Sequence, residues 1–311
     1  KVIDEFICEC QSNSGLPLHI MEWISPDQLE DITPLVKGGI STIYVATWKR
    51  GAILDFNESK QEFVYSGPQK VVLKSLNSPG NPYEMVFREA KKFIQIRSGD
   101  IVNAYGITKI KIPGNNNYAI VMNYFADGNL RDYLIRNRGI NLKDKIFAIW
   151  RICLALSNIH QQDLIHCHLH RSCRPVDDKR IDKLYGTVPY MAPELLLHKK
   201  YSKATDIYSL GVLMWEIFAV NQPFDYIPDN YQLAKEIICG LKLQMVPEIP
   251  NRIQNLIYRC MDTNPLKRPT IEQILVIIKS IYKEIYESKE LIIEYEKKKS
   301  YYSPPGIFLK P

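Results

Sequence analysis

Lys74 is the residue whose position in this sequence most clearly indicates a chemical role. It ends the run Val71-Val72-Leu73-Lys74, which has the apolar, β-branched character of a buried strand. An unpaired ammonium in such a strand is costly, so Lys74 needs a partner. Glu89, on a helix predicted to follow, is suited to be that partner, and the pair would orient Lys74 toward phosphate groups. The alternative is an amphipathic strand whose lysine reaches out to solvent.

A glycine-rich turn precedes this strand. Gly38 and Gly39 lie in residues 36–44, between two strand-like runs. A β-carbon would block the dihedral angles that let backbone amides approach phosphates closely, so glycines here favour a phosphate site. Adjacent glycines also mark plain hairpins, and the turn is weak support by itself.

A sheet and a helix must position these side chains, and the first part of the chain has both patterns. Runs rich in β-branched and aromatic residues alternate with Gly, Pro and Asn turns, which is typical of strands. One helix is predicted from about Pro82 to Ile96, with apolar residues at helical spacing. The predicted strands include residues 43–48, 62–65, 71–73 and 118–122.

From Leu130 onward the pattern turns helical, with apolar residues three or four positions apart in 146–159 and in 274–292. The stripe in 271–295 favours a last helix packed on the core over a coiled coil. We therefore predict an α+β fold with two lobes, joined by a connector at 123–128. The predicted segments are an N-terminal flank (1–30), a small β-rich lobe with one helix (31–123), a larger, mainly α-helical lobe (124–285), and a C-terminal helix extension and tail (286–311).

Composition excludes several classes of protein. A formal charge of +6 over 311 residues, with one dense run at 297–299, is too dilute to indicate nucleic-acid binding. No apolar run reaches the roughly 18 residues that span a bilayer. Seven cysteines, an odd number in a large chain, do not suggest a disulfide framework. Cys8 and Cys10 have no second pair at metal-ribbon spacing, so we predict no metal site there and a reducing, cytoplasmic setting.

Three segments of the helical lobe resemble motifs of the protein kinase family. Together with the glycine turn and Lys74 they follow the family order at near-family spacing over about residues 23–282. The details are most similar to the tyrosine-kinase-like branch of Ser/Thr kinases, and to its fungal members in particular. The segments are residues 185–194 (YGTVPYMAPE), 206–211 (DIYSLG) and 260–269 (CMDTNPLKRP).

The resemblance assigns roles to individual residues. It implies a buried ion pair between Glu194 and Arg268 that holds the fold. It implies that Met122 is the gatekeeper, and that Asn123 and Tyr124 form the hinge that meets adenine. The implied cofactor is ATP, held by Gly38, Gly39, Lys74 and Glu89 as well as by Met122 and Tyr124.

The segment that should carry catalysis departs from the family pattern. Where the family has H-R-D-L-x-x-x-N, this chain has HCHLHRSC over 166–173. His168 stands in place of the aspartate that accepts the substrate proton, and Cys173 in place of the metal-binding asparagine. Cys167 removes the arginine that pairs with a phosphorylated loop. A histidine can act as a base, but soft or cationic side chains are poor magnesium ligands.

No D-F-G follows this segment. The step from His166 to Ala192 is roughly twenty residues shorter than an intact family member requires. Residues 173–178 resemble the sequence that ordinarily follows D-F-G, as if one contiguous piece were missing. Asp177 or Asp178 could replace the lost metal ligand only along a path that Pro175 stiffens, and the alternative is a solvated turn.

Three hypotheses stay open. We favour a pseudokinase that scaffolds protein partners, predicted inactive as given, with ATP held weakly and magnesium disfavoured. The second is an active ATP-dependent Ser/Thr or dual-specificity kinase whose catalytic segment was lost from the gene model. The third is a decayed product without function.

Overall fold

The structure is a computed structural model that describes residues 2–12, 20–37, 41–76, 82–95, 102, 104–112, 117–166 and 188–286. The chain divides into two compact units. The first comprises residues 1–97 and 102–126, and the second comprises 98–101 and 127–311.

The first unit is built on a mainly antiparallel sheet of six strands in the order β1-β7-β8-β6-β3-β2, in which β1 runs parallel to β7. In its described residues the same unit also has two helices and a separate two-stranded hairpin, β4-β5. The elements are α1 (Val2–Ser12), β1 (Glu22–Trp23), β2 (Leu29–Lys37), β3 (Ser41–Trp48), β4 (Ile53–Asn57), β5 (Glu62–Tyr65), β6 (Gln69–Leu76), α2 (Pro82–Gln95), β7 (Ala104–Lys109) and β8 (Tyr118–Asn123).

One face of this sheet carries a continuous apolar core. Trp48 of β3, Leu73 of β6 and Val121 of β8 are fully buried in it. Within each of these strands, the residues of this core lie two positions apart. Because neighbouring residues in a strand point to opposite faces, this core leaves the other face of β6 to Val72 and Lys74. The sheet thus separates the core from the side chains that could do chemistry.

The second unit is helical in its described residues. Its elements are α3 (Leu130–Arg136), α4 (Leu142–Gln161), α5 (Pro193–His198), α6 (Lys203–Ala219), α7 (Asn230–Ile238), α8 (Asn251–Cys260) and α9 (Ile271–Tyr286). Short 3₁₀ turns at Val188–Tyr190 and Pro265–Lys267 complete it. Asn129, Asn141 and Asp229 each accept a backbone N–H three residues ahead, which fixes the starts of α3, α4 and α7.

Helix α4 shows why the helical periodicity was informative. Its predicted apolar stripe, Ile146, Ile149, Ile152, Cys153, Leu156 and Ile159, is buried at every position. Helix α4 packs on α9, and α6, most of whose residues are buried, packs on α8. The predicted α+β class with two lobes is confirmed. Within the described ranges, no helix combines the length and apolar character that crossing a bilayer requires.

Candidate functional site

Lys74 and Glu89 form an ion pair in the first unit. The Lys74 ammonium lies 2.8 Å from Glu89 Oε1, and the two side chains are only 8% and 12% exposed. Strand β6 fixes Lys74 in register with Ile43 on one side and Ile120 on the other, and α2 carries Glu89 over that face of the sheet. The pairing expected from the sequence is present, and it holds the lysine in one direction.

Lys92 is a second cation at this carboxylate that the sequence analysis missed. Its ammonium lies 2.7 Å from Glu89 Oε2. Lys92 follows Glu89 by three positions, so both lie on one face of α2, and that spacing could have identified it. Each carboxylate oxygen of Glu89 therefore accepts a hydrogen bond from a different lysine.

Burial and the neighbouring charges shift the pKa of Glu89 in opposite directions. Burial by itself would raise this pKa, but the nearby ammonium groups of Lys74 and Lys92 outweigh it and hold the pKa below its ordinary value. Glu89 is therefore ionised at neutral pH. An ionised, doubly bonded carboxylate is a rigid support for the Lys74 ammonium.

The sheet face around Lys74 is apolar and partly open. Register places Val72 opposite Met122 on β8 and Ile43 opposite Lys74 on β3, so these four side chains share one face. Ile43 and Val72 are partly exposed, whereas Met122 is buried. An apolar surface beside a directed ammonium has the chemical make-up that a purine nucleotide needs, with flat contact for the base and positive charge for the phosphates.

The residues after β8 belong to the predicted hinge. Tyr124 is half-buried, and the Lys70 ammonium lies 5.8 Å from the centre of its ring. Asn123 is in register with Val71, and its Oδ1 atom is buried without a hydrogen-bond partner in the part of the chain that the structure describes. The adenine-binding role of Met122 and Tyr124 stays a prediction.

Other predicted site residues lie outside the described residues. These include Gly38 and Gly39, although β2 and β3 pair on both sides of them, as far as Lys37 and Thr42. His168, with Cys167 and Cys173, also lies outside, as does the part of the C-terminal extension beyond residue 286. Their roles stay predictions.

In the second unit, Asp206 of α6 anchors His166, the first residue of the predicted catalytic segment and the only one of that segment among the described residues. Its Oδ2 atom accepts the backbone N–H of His166 at 2.7 Å and lies 3.0 Å from His160 Nε2. All three residues are buried. An ionised carboxylate oxygen only accepts, so this contact is a hydrogen bond in the tautomer of His160 that carries its proton on Nε2. Sequence reasoning missed His160, which continues the buried stripe of α4 and could have been noticed as a polar residue in it.

Glu194 and Arg268 form the ion pair that the family resemblance implied. Two Arg268 nitrogens each lie 2.7 Å from a different oxygen of Glu194. Such a two-pronged arrangement needs the planar fork of arginine. The predicted pair is confirmed, and its role in holding the fold stays a prediction.

Arg131, Tyr190 and Glu216 form a third polar group that the sequence analysis did not find. Arg131 donates to Glu216 Oε1 at 2.6 Å and to the Tyr190 hydroxyl at 2.8 Å, and that hydroxyl donates to Glu216 Oε2 at 2.5 Å. Burial, with Glu216 beside it, raises the pKa of Tyr190, so the hydroxyl stays protonated and can donate. The three residues are far apart in the chain, and no sequence period links them.

Comparison with known proteins finds a matching family and several relatives. The family model described as protein tyrosine and serine/threonine kinase matches residues 29–176 and 171–278. The chain is 24% identical to the human tyrosine-protein kinase TXK over 280 residues, which cover 83% of this chain and 49% of that protein. It is 26% identical to the mouse cytoplasmic tyrosine-protein kinase BMX over 239 residues, covering 70% and 36%.

A plant relative is also similar. The Arabidopsis thaliana serine/threonine-protein kinase STY46 is 26% identical over 200 residues, which cover 58% of this chain and 34% of that protein. The relatives thus include proteins named for tyrosine and for serine/threonine specificity. The matched regions span from about a third to about half of the length of these curated relatives.

Proposed function

We propose, since the chain belongs to the family of protein tyrosine and serine/threonine kinases, that it binds ATP but does not transfer phosphate efficiently. The observation that carries the first half is the buried pair of Lys74 and Glu89. Well-packed apolar residues in place of a buried ion pair are often neutral or stabilising, so the pair is a poor choice for stability alone. A directed ammonium is, in contrast, what a nucleotide phosphate needs.

The residues of the first unit fit ATP. Ile43 and Val72 offer apolar surface to the adenine ring on the face that they share with the buried Met122, and Lys74 offers its ammonium to the phosphates. Tyr124 follows β8 in the position of the family's hinge. ATP supplies the phosphoryl group that the family transfers, and the residues named here bind and orient the nucleotide.

The second half of the proposal rests on the sequence of the catalytic segment. His168 and Cys173 stand where the family has its proton acceptor and a magnesium ligand, and no D-F-G follows. Phosphoryl transfer depends chiefly on positioning and on metal charge, so losing the magnesium ligands costs more than losing the base. His168 and Cys173 do not fit magnesium. We therefore propose that the nucleotide binds without a metal ion.

The proposed function of this domain is to bind protein partners through a surface shaped like that of a kinase. We assign it to a degenerate tyrosine-kinase-like group of fungal type, acting as a scaffold in cytoplasmic signalling. The anchors of the second unit favour this over a decayed product, because Asp206 with His166 and Glu194 with Arg268 are fully assembled.

A second candidate is an active kinase with an uninterrupted catalytic segment. The observation in its favour is that the family model matches in two pieces that overlap at residues 171–176, as a missing internal piece would produce. Sequencing the transcript across the codons for residues 166–173 decides between the two. A transcript that reads as the present sequence does would exclude this candidate.

The test of ATP binding is the melting temperature of the full chain with ATP, with and without magnesium. ATP at about 100 times its dissociation constant adds roughly 2.7 kcal/mol to the free energy of unfolding. We expect this rise in the wild type and in Lys49→Ala, which removes an exposed lysine directly after β3, and no rise in Lys74→Ala. A wild type that ATP does not stabilise would contradict the binding proposal.

Transfer is tested with ATP labelled on its γ-phosphate and a generic protein substrate. We expect incorporation no greater than with Lys74→Ala. Magnesium-dependent labelling that Lys74→Ala abolishes would overturn the proposed loss of activity.

A further inference from the structure

Helix α1 packs against the helix that carries Glu89. Its buried side chains, Phe6, Ile7 and Cys10, lie on one face and are 5%, 7% and 2% exposed. The first two belong to one turn and the third follows a turn later, which is the spacing of a docked helix face. The N-terminal flank is thus a structural part of the first unit.

Two contacts fasten α1 to α2. The ring of Phe6 stacks on the ring of Phe87, with centroids 4.3 Å apart and planes 7° from parallel. Glu9 lies 2.8 Å from the Lys91 ammonium, which is also 6.0 Å from the centre of the Phe6 ring. Offset aromatic pairs contribute beyond the area they bury, so Phe6 is the main attachment and the exposed ion pair adds little.

The geometry of α2 links this attachment to the ion pair. Phe87 and Lys91 are one turn apart and share a face of α2. Glu89 is two positions from each of them, which is a rotation of roughly 200° around the helix axis, so it lies on the opposite side of the helix. Helix α1 therefore presses on the side of α2 that faces away from Lys74. A helix held on its outer side by α1 keeps Glu89 directed at the sheet.

We propose that α1 is a brace for the nucleotide site, and that Phe6 is a positioning residue that acts through α2 on Glu89 and Lys74. Without the Phe6 ring, α2 spends part of the time in positions where Glu89 does not contact Lys74. If the paired state then holds a tenth of the molecules, the apparent dissociation constant for ATP rises about tenfold. The ATP part of this inference rests on the proposed function, whereas the bracing of α2 does not.

The first test measures amide hydrogen exchange in the full chain without nucleotide. We expect Phe6→Ala to speed exchange in α2 about tenfold while β6 and α6 stay as in the wild type, because only α2 loses its support. Phe6→Tyr keeps the ring and should restore wild-type exchange. Glu5→Ala, on the exposed side of α1, is the matched control and should change nothing.

The second test is a double-mutant cycle on ATP affinity. Phe6→Ala should weaken binding about tenfold in the wild type but less than about twofold when Glu89 is already Gln, because both changes break the same link. Equal weakening in both backgrounds would mean that Phe6 supports the fold in general, and would overturn its positioning role.

The outcomes separate the two proposals. A wild type that binds no ATP contradicts the proposed function, while the exchange of α2 still decides whether α1 braces it. Unchanged exchange of α2 in Phe6→Ala overturns the brace even if ATP binds. If Phe6→Ala does not fold, Phe6→Leu, which keeps apolar volume without the stacked ring, takes its place with the same expected direction.

Discussion

The guanidinium of Arg268 donates two hydrogen bonds of 2.7 Å to the carboxylate of Glu194, 74 residues away in the chain. It also donates to the carbonyl oxygens of Ala204 and Asp262, each at 2.8 Å. One side chain thus joins α5, the start of α6 and the turn after α8. Because Arg268 is buried and Glu194 is mostly so, removing either member leaves the other charge without compensation.

Arg268→Ala should lower the free energy of unfolding by about 3–5 kcal/mol, measured by urea denaturation at neutral pH. Arg268→Lys should recover only part of that loss, since lysine cannot reproduce the two-pronged contact. The control is Arg252→Ala, which breaks an exposed pair with Glu284 and should leave the midpoint near that of the wild type. A wild-type midpoint in Arg268→Ala would refute the stabilising role of the pair.

Glu89 should give stability a pH dependence of defined sign. Its folded pKa lies below the ordinary value of 4.5, so its contribution is complete above that pH and is lost as the pH falls through the folded pKa. The wild type should therefore lose more stability than Glu89→Gln as the pH is lowered from about 6 to about 3. Urea midpoints of both proteins across this range provide the measurement, and parallel curves would contradict the expectation.

Contacts within reach of a local pattern were predictable from the sequence. Lys74 ended an apolar strand run and Glu89 lay on the next helix, so their pairing followed from two local elements and the cost of a buried charge. The buried stripe of α4 followed from its period. Glu194 with Arg268 needed more than pattern, since only the family motifs linked two positions 74 residues apart.

Other features had no local signal. Arg131 meets Tyr190 and Glu216 across 59 and 85 residues, and such long-range polar contacts have no period. Strand β4 was missed because its run mixes apolar and polar residues. Its partner β5 was predicted, but the pairing that makes β4 a strand comes from the hairpin. Helix α1 was left as a flank, since its stability comes from packing on α2 rather than from its own sequence.

Asp206 should be essential to the second unit. Asp206→Ala takes the acceptor from the backbone N–H of His166 and from the ring of His160, both buried, at about 1–3 kcal/mol for each group. Asp206→Asn keeps one acceptor oxygen and should lose less. Urea denaturation gives the totals, and faster exchange of the His166 amide in Asp206→Ala locates the effect. An unchanged His166 amide would be incompatible with this anchor.

Gly211 tests close packing between α6 and α8. Alanine favours a helix interior over glycine by about 1 kcal/mol, so Gly211→Ala would stabilise an exposed helix. Here its β-carbon would lie 2.8 Å from the β-carbon of Cys260 and 3.1 Å from Met261 Cγ. The Cys260 β-carbon cannot rotate away, and overpacking of this kind costs about 1–3 kcal/mol.

We therefore expect Gly211→Ala to lower the free energy of unfolding by about 1–2 kcal/mol, since overpacking outweighs helix propensity. The matched control is Gly139→Ala, where the added β-carbon meets no described atom within 4 Å and stability should stay within about 0.5 kcal/mol of the wild type. Urea midpoints of the two variants measured side by side separate a steric effect from the general effect of replacing glycine. A stabilised Gly211→Ala would show that α6 and α8 can move apart at little cost.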